Sequence, residues 1–266
     1  MKDMKTIRRT ISVILAVMCL FAILTVHAED AKFSDSEAKT ASFRTVGNIV
    51  KFGRYEQDND TENGPEEIEW IVLDTEGNKA LLLSKYGLDC KQYNKAYVAV
   101  TWETCTLRAW LNDEFLKEAF TEEEQAAIPV TEVDNSQSQG YSKWDTTGGN
   151  NTQDKVFLLS CAEANKYLDI TWDNIENYKA RVVPTAYALA QGASTNREMW
   201  KTADGELAGR WWLRSAGRHQ HRAAFVYGAG ALRSTHVTST SGHYGGNTVR
   251  PALWLDLDSE FFRSGQ

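Results

Sequence analysis

Cysteine is scarce in this chain: 266 residues carry four. Such a chain is not built on a disulfide framework. Once an N-terminal export segment is set aside, Cys90, Cys105 and Cys161 remain, an odd number that allows at most one internal bridge. Three buried thiols acting as small apolar side chains are the preferred reading. A second scarcity is local. The chain has 36 Asp and Glu, yet residues 218–249 contain none. That stretch lacks the carboxylates that catalytic zinc enzymes use as ligand or general base. Two further absences narrow the chemistry. Ser215 follows Arg214 in a strand-like block without the Gly-x-Ser-x-Gly elbow that exposes a catalytic hydroxyl. Gly228-Ala229-Gly230 and Gly245-Gly246 lack the Lys and the strand-to-helix context of a phosphate-cradling loop, and read as turns.

What the chain does have begins with an export signature. Lys2, Lys5, Arg8 and Arg9 precede an apolar run over residues 11–26, and Val26-His27-Ala28 offers a cleavage site, so residues 1–28 read as a signal peptide. That run is shorter than the ~20 residues a spanning helix needs. No stable membrane span is expected after cleavage, and the expected location is secreted or on the extracellular face of the cell envelope. Removing the segment takes away four basic and one acidic side chain and lowers the formal charge from −7 to −10. An acidic body of this kind repels nucleic acid.

Residues 29–45 are polar and aperiodic and read as a flexible leader; the domain is expected over residues 46–257, with 258–266 as a tail. Ile49-Val50-Lys51-Phe52 predicts a strand and residues 56–67 an acidic loop. Apolar runs over 68–73 and 80–83 flank Thr75-Glu76-Gly77-Asn78 and predict a β-hairpin. Trp102, Leu107, Trp110, Leu111, Phe115, Leu116 and Ala119 recur at three- and four-residue spacing and predict a helix after Thr101. Thr121-Glu122-Glu123-Glu124 resembles a capping box opening a short helix toward Ile128. Residues 135–151 read as a long surface loop, Val156-Phe157-Leu158-Leu159 as a buried strand and residues 161–168 as another helix. Beyond Arg181 the pattern turns to short strands, firmest over 211–214, 223–227 and 249–257. With no repeat and no linker between 46 and 257, one α+β domain is expected.

Two stiff aromatic blocks, Trp211-Trp212-Leu213-Arg214-Ser215 and Val249-Arg250-Pro251-Ala252-Leu253-Trp254-Leu255, bracket the carboxylate-free stretch. Rigid borders around a small, polar interior describe a presented recognition surface better than a catalytic centre. His219, His221, His236 and His243 all lie inside it. Their spacing matches no strong metal signature, so solvent-facing recognition histidines are preferred to a zinc site. Arg214, Arg218, Arg222, Arg233 and Arg250 give residues 211–255 a charge of +5 with no acid to offset it. Arg214 and Arg250 are expected to be buried beside tryptophan with carboxylate partners. Arg218, Arg222 and Arg233 are expected to be exposed, which favours an anionic partner surface or acidic glycan.

Three motifs in order carry a resemblance. They are Thr106-Leu107-Arg108-Ala109-Trp110-Leu111-Asn112 with Phe115 and Phe120, then Asp154-Lys155-Val156-Phe157-Leu158-Leu159-Ser160, then the two aromatic blocks with Ala223-Ala224-Phe225-Val226 between them. Together they resemble an uncharacterised family of exported bacterial domains, over most of residues 46–257. The resemblance implies a C-type-lectin-like fold: a single α+β domain with short twisted antiparallel sheets, two or three helices and long loops. That architecture is similar to formylglycine-generating enzymes and to the variable proteins of diversity-generating retroelements. No Cys follows Cys161, so the late cysteines of the formylglycine-generating enzymes are not carried over. Trp172-Asp173-Asn174 has the wrong order for a calcium-dependent sugar-binding motif. Similarity to the retroelement proteins implies a diversified C-terminal region whose adenine mutagenesis cannot yield Gln, Glu, Lys, Met or Trp. Of these types only Gln220 occurs in residues 218–249, where overall composition places about seven.

The expectation is therefore an exported, non-catalytic ligand-binding protein that uses no cofactor and presents a C-terminal surface to a protein or glycan. Its contacts are expected at Arg218, His219, Gln220, His221, Arg222, Phe225, Tyr227, Arg233, His236, Ser239, Ser241, His243, Tyr244 and Asn247. Trp211, Trp212, Arg214, Pro251 and Trp254 are expected to hold that surface still. The rival is a secreted metal-dependent enzyme using His219, His221 and His236 or His243; a third reading is a structural envelope component without a specific ligand.

Overall fold

The computed structural model describes residues 40–195, 200–239 and 246–263. The expected signal peptide, most of the leader and the last three residues of the tail lie outside the described residues.

The first sheet grows from the alternation in the sequence. β1 (Ile49–Tyr55) pairs antiparallel with β2 (Glu66–Glu76), which turns through Gly77 into β3 (Lys79–Ser84). Gly77 takes φ +59°, the left-handed conformation of a tight hairpin. A bulge shifts the β1–β2 register between Lys51 and Arg54, and Gly53 occupies it at φ +69°. There the backbone runs so close to Phe120 that an added Cβ would lie 2.5 Å from its ring. Beneath the bulge, the Trp70 indole N–H donates to Phe52 O at 2.7 Å.

A helical layer follows. After β4 (Asp89–Cys90) and a 3-10 turn at Trp102–Thr104 come α1 (Thr106–Trp110), a π-helical turn over Leu111–Phe115, and α2 (Leu116–Ala119). The wider π turn shifts the apolar stripe, so that Leu107, Leu111, Phe115 and Leu116 are all buried. α3 (Glu122–Ala127) opens on a reciprocal capping box between Thr121 and Glu124. β5 (Thr131–Val133) and β6 (Thr152–Asp154) form a two-stranded ribbon. Beyond β7 (Val156–Phe157), α4 (Cys161–Leu168) opens on a second capping box, between Ser160 and Glu163. α5 (Ala186–Ala190) has no counterpart in the sequence reading, because one turn is too short to show a helical period.

The second sheet contains β8 (Trp211–Ala216), β9 (Arg222–Val226) and β10 (Leu232–His236) as an antiparallel meander. β11 (Thr248–Val249) lies between β8 and β4, parallel to the first and antiparallel to the second. The β8–β11 pair thus departs from the expected antiparallel pattern. β12 (Ala252–Asp256) then leaves this sheet and inserts into the first, between β3 and β7. The first sheet reads β1-β2-β3-β12-β7 and the second β10-β9-β8-β11-β4. α6 (Glu260–Arg263) closes the described chain. The fold is α+β, as expected, but with more helical segments than two or three, several of them a single turn.

Residues on either side of the expected boundaries at 46 and 257 meet one another. Residues 40–43 are helical, and Phe43 packs edge-on against Phe262 of α6 at 5.1 Å. Each ring is buried, which draws the adjoining leader and tail residues into the packed body.

The aromatic blocks serve different sheets. The first is β8; the second supplies β11, crosses over at Arg250-Pro251 and continues as β12. Arg250 sits at that crossing, 1% exposed. Its Nε donates to Ser84 O at 2.8 Å, and its guanidinium lies 4.9 Å over the Trp211 ring. Among the described residues no carboxylate pairs with it, which corrects the expectation; an aromatic face and a carbonyl stand where an acid was anticipated. Arg214 does have its acid. Glu163 accepts from both terminal nitrogens, Leu158 O and Asp134 O take one N–H each, and Asn135 Oδ1 accepts from Nε. All five guanidinium N–H groups are thereby used. Asn135 is itself buried, so the 135–151 segment is not wholly a surface loop.

Trp70, Trp102, Trp211 and Trp212 are fully buried. At about 25 cal/mol per Å² and roughly 200 Å² per ring, each contributes on the order of 5 kcal/mol of transfer free energy. Among the described residues no helix is long and apolar enough to cross a membrane.

Candidate functional site

The turn between β8 and β9 is compact: Arg222 N donates to His219 O and Gly217 N to Arg222 O, each at 2.8 Å. His236, the last residue of β10, is the register partner of Arg222, which places both side chains on one face of the sheet. Arg222 Nη2 lies 3.2 Å from His236 Nε2. One residue apart in the turn, His219 and His221 stack with centroids 5.6 Å apart and planes inclined by 12°. His221 and His236 approach to 5.9 Å.

Tyr97 completes this group, with its ring 5.0 Å from His221 and 5.0 Å from His236. It stands on a loop, residues 91–100, that has no strand or helix of its own. The loop is fastened instead by bonds to the second sheet. Trp212 Nε1 donates to Lys91 O at 2.9 Å, Gln92 Nε2 to Thr238 O at 2.8 Å, Asn94 N to Val237 O at 2.9 Å, and Val100 N to Gln220 O at 3.0 Å. At its crest Tyr97 and Val98 are 54% and 51% exposed. Sequence reasoning missed Tyr97. The available signal was an aromatic next to a β-branched residue in a stretch without periodic apolar partners.

The expected contact residues divide. Arg218, His219 and His236 are exposed and His221 and Arg222 half-buried; of these, His221 and His236 bring their rings against Tyr97. Gln220 is turned to a fastening role: its Nε2 donates to Val100 O and Thr147 O, and its Oε1 accepts from Thr147 N. Ser239 is half-buried just beyond β10 and donates its backbone N–H to His236 O at 3.1 Å. Arg233 belongs elsewhere. Strand alternation puts it on the opposite face from His236, where its guanidinium lies 4.7 Å over Trp172 and donates to Trp172 O. Tyr227 lies beyond the far end of β9, against Trp200 and Arg210. Two residues are corrected outright. Phe225 is buried against Trp212, and Asn247 is 1% exposed beside β11, because both belong to the packed interior of the sheet. Ser241, His243 and Tyr244 lie outside the described residues. Of the expected supports, Trp211, Trp212, Arg214 and Pro251 are buried in or next to the second sheet; Trp254 lies in β12 of the other sheet.

Burial, then Arg222, then His221 hold the His236 imidazole below its ordinary pKa of 6.5. Among the described residues the three histidines do not bring three ligand atoms within reach of one ion; the grouping that does is Glu56, Asp58 and Glu66. Ser215 Oγ is occupied, donating to Gln139 O and accepting from Cys161 N. Cys90, Cys105 and Cys161 are free and buried, and burial pushes each thiol up to about 12. Such thiols are weak nucleophiles at neutral pH.

No curated protein and no solved structure matches the chain. Residues 77–257 match a domain of unknown function, DUF6273. The matched segment starts in the β2–β3 turn and ends just past β12, so it holds all of the second sheet and the Tyr97 loop, while β1 and β2 precede it. On the strength of a match over more than half its length, the chain belongs to the DUF6273 family.

Proposed function

We propose that this is an exported, non-catalytic binding protein, and that Tyr97, Arg218, His219, His221, Arg222 and His236 form its recognition surface. The observation that carries the reading is the convergence on Tyr97 of a turn and a strand end that share no carboxylate. Tyr97 offers rigid contact area, the two arginines offer planar charged forks, and the histidines donors and acceptors that change with pH. Arg218 and Arg222 favour an anionic protein surface or acidic glycan. The α+β architecture, with its C-terminal strand returned to the first sheet, is compatible with a C-type-lectin-like fold. Scarcity of Gln, Glu, Lys, Met and Trp in residues 218–249 supports a diversified region. Phe225 and Asn247, being buried, are no longer among the proposed contacts.

The test is binding to arrays of acidic glycans and anionic peptides by the purified protein and by two double variants, Y97A/H221A and R218A/R222A. Wild-type capture of a defined ligand, weakened about tenfold or more in both variants while far-UV circular dichroism is unchanged, is the expected result. Capture undiminished in both removes the surface from consideration. Stoichiometric zinc lost on replacing His219 and His221 would favour the metal-dependent enzyme instead. The diversification reading is tested by the neighbouring DNA, which should hold a reverse transcriptase and a near-copy of the 211–255 coding region differing at adenines.

A further inference from the structure

We propose that the loop between β1 and β2 is a calcium site formed by the carboxylates of Glu56, Asp58 and Glu66. The loop lies N-terminal to the DUF6273 match and belongs to the first sheet, so the inference is independent of the recognition surface.

One carboxylate oxygen from each of the three residues lies within 4.8 Å of the other two. Oxygens sharing a calcium ion at about 2.4 Å can be no more than about 4.8 Å apart, a condition this trio meets. The three residues form no ion pair with Lys or Arg among the described residues. Nearby cations are engaged otherwise: Lys51 pairs with Glu67, and Arg54 Nε donates to Pro65 O.

Glu56 supplies the second, separate observation. It is 9% exposed, and its Oε1 is buried without a hydrogen-bond partner. A carboxylate oxygen in that state calls for a hydrogen-bond donor or a cation. The other two carboxylates are held in place by donors that leave their charge uncompensated. Asp58 accepts from Asp60 N and Asn63 Nδ2, and Glu66 Oε2 from Gln57 N and Asp58 N. Three carboxylates offer up to six oxygens, the lower end of calcium coordination. Because Tyr187 N of α5 donates to Gln57 O at 2.9 Å, ordering the loop also orders its contact with α5.

The probe is calcium chloride titrated calorimetrically into the purified full chain after EDTA treatment, with magnesium chloride as comparison. Saturable binding of one calcium per chain is expected, with magnesium much weaker, together with a calcium-dependent rise in melting temperature. E56Q, D58N and E66Q should each weaken calcium binding by about tenfold or more. E56Q also removes one of three crowded charges, so in EDTA it should melt no lower than wild type while losing the calcium-induced rise. A flat wild-type isotherm overturns the proposal without reference to any variant. So does a calcium response retained in full by a folded E56Q/E66Q double variant.

Discussion

Tyr97 and His221 lie ring to ring at 5.0 Å, although one stands on the loop after β4 and the other in the turn between β8 and β9. What joins them is Trp212: its ring packs on Tyr93 at 5.7 Å while its indole N–H holds Lys91 O at 2.9 Å. The loop is thus anchored at its base and exposed at its crest. Y97A should change stability by less than about 1 kcal/mol while shifting the His221 and His236 ring resonances. W212A should cost about 3–5 kcal/mol and speed hydrogen exchange at Asn94 and Val100. Chemical denaturation and amide exchange measure the contrast.

His236 makes stability depend on pH in a defined direction. Its folded-state pKa lies below the ordinary 6.5 through burial, Arg222 and His221. Between the two values the unfolded chain holds the proton more readily, so the stabilisation is complete above 6.5 and is lost as pH falls through the folded value. R222A, by removing one cationic neighbour, should raise the His236 midpoint toward 6.5 and narrow that window. An NMR titration of the imidazole checks both statements.

The Arg214–Glu163 pair is buried on the arginine side, at 1% side-chain exposure. E163A leaves a buried guanidinium without its acid and should cost about 3–5 kcal/mol. R214K keeps the charge beside Glu163 but not the fork that serves Leu158 O, Asp134 O and Asn135 together, and should destabilise as well, by less than E163A. Urea denaturation of the two variants ranks them.

G53A tests the β1 bulge. Its methyl group would lie 2.5 Å from the Phe120 ring and 2.7 Å from Ala119 O, at a backbone φ of +69°. Destabilisation of about 2 kcal/mol or more is expected from strain and overpacking combined. G77A, at φ +59° with open space around its Cβ, should cost less. The difference in melting temperature separates clash from backbone strain.

Cys90, Cys105 and Cys161 should resist iodoacetamide in the folded protein at neutral pH, because each thiol is buried and raised to about 12. All three should label once urea unfolds the chain. Mass spectrometry of the alkylated peptides reads the result directly.

Local signals in the sequence were legible where the structure they specify is local. The β2–β3 hairpin follows from Gly77 between two apolar runs, and α4 spans the expected residues 161–168. Long-range placement was not legible. Pro251 marks a break within the second aromatic block, but not that the strands on its two sides join different sheets, because buried strands of either sheet read alike as apolar runs. Phe225 and Asn247 were assigned to the surface for their chemistry, whereas their burial depends on β8 and β11 lying beside them. Tyr97 escaped for the complementary reason: the histidines it meets are supplied by strands much later in the chain.

β12 is the last strand among the described residues, yet it occupies an interior position in its sheet, between β3 and β7. The first sheet therefore stays divided until residues 252–256 have left the ribosome, with the facing edges of β3 and β7 unpaired. Co-translational assembly of that sheet can proceed only as far as the β1–β3 meander, and its closure waits for a contact of high sequence separation. A nonsense mutation even shortly before Ala252 would leave a fragment with two adhesive strand edges, a substrate for chaperones rather than a smaller version of the domain.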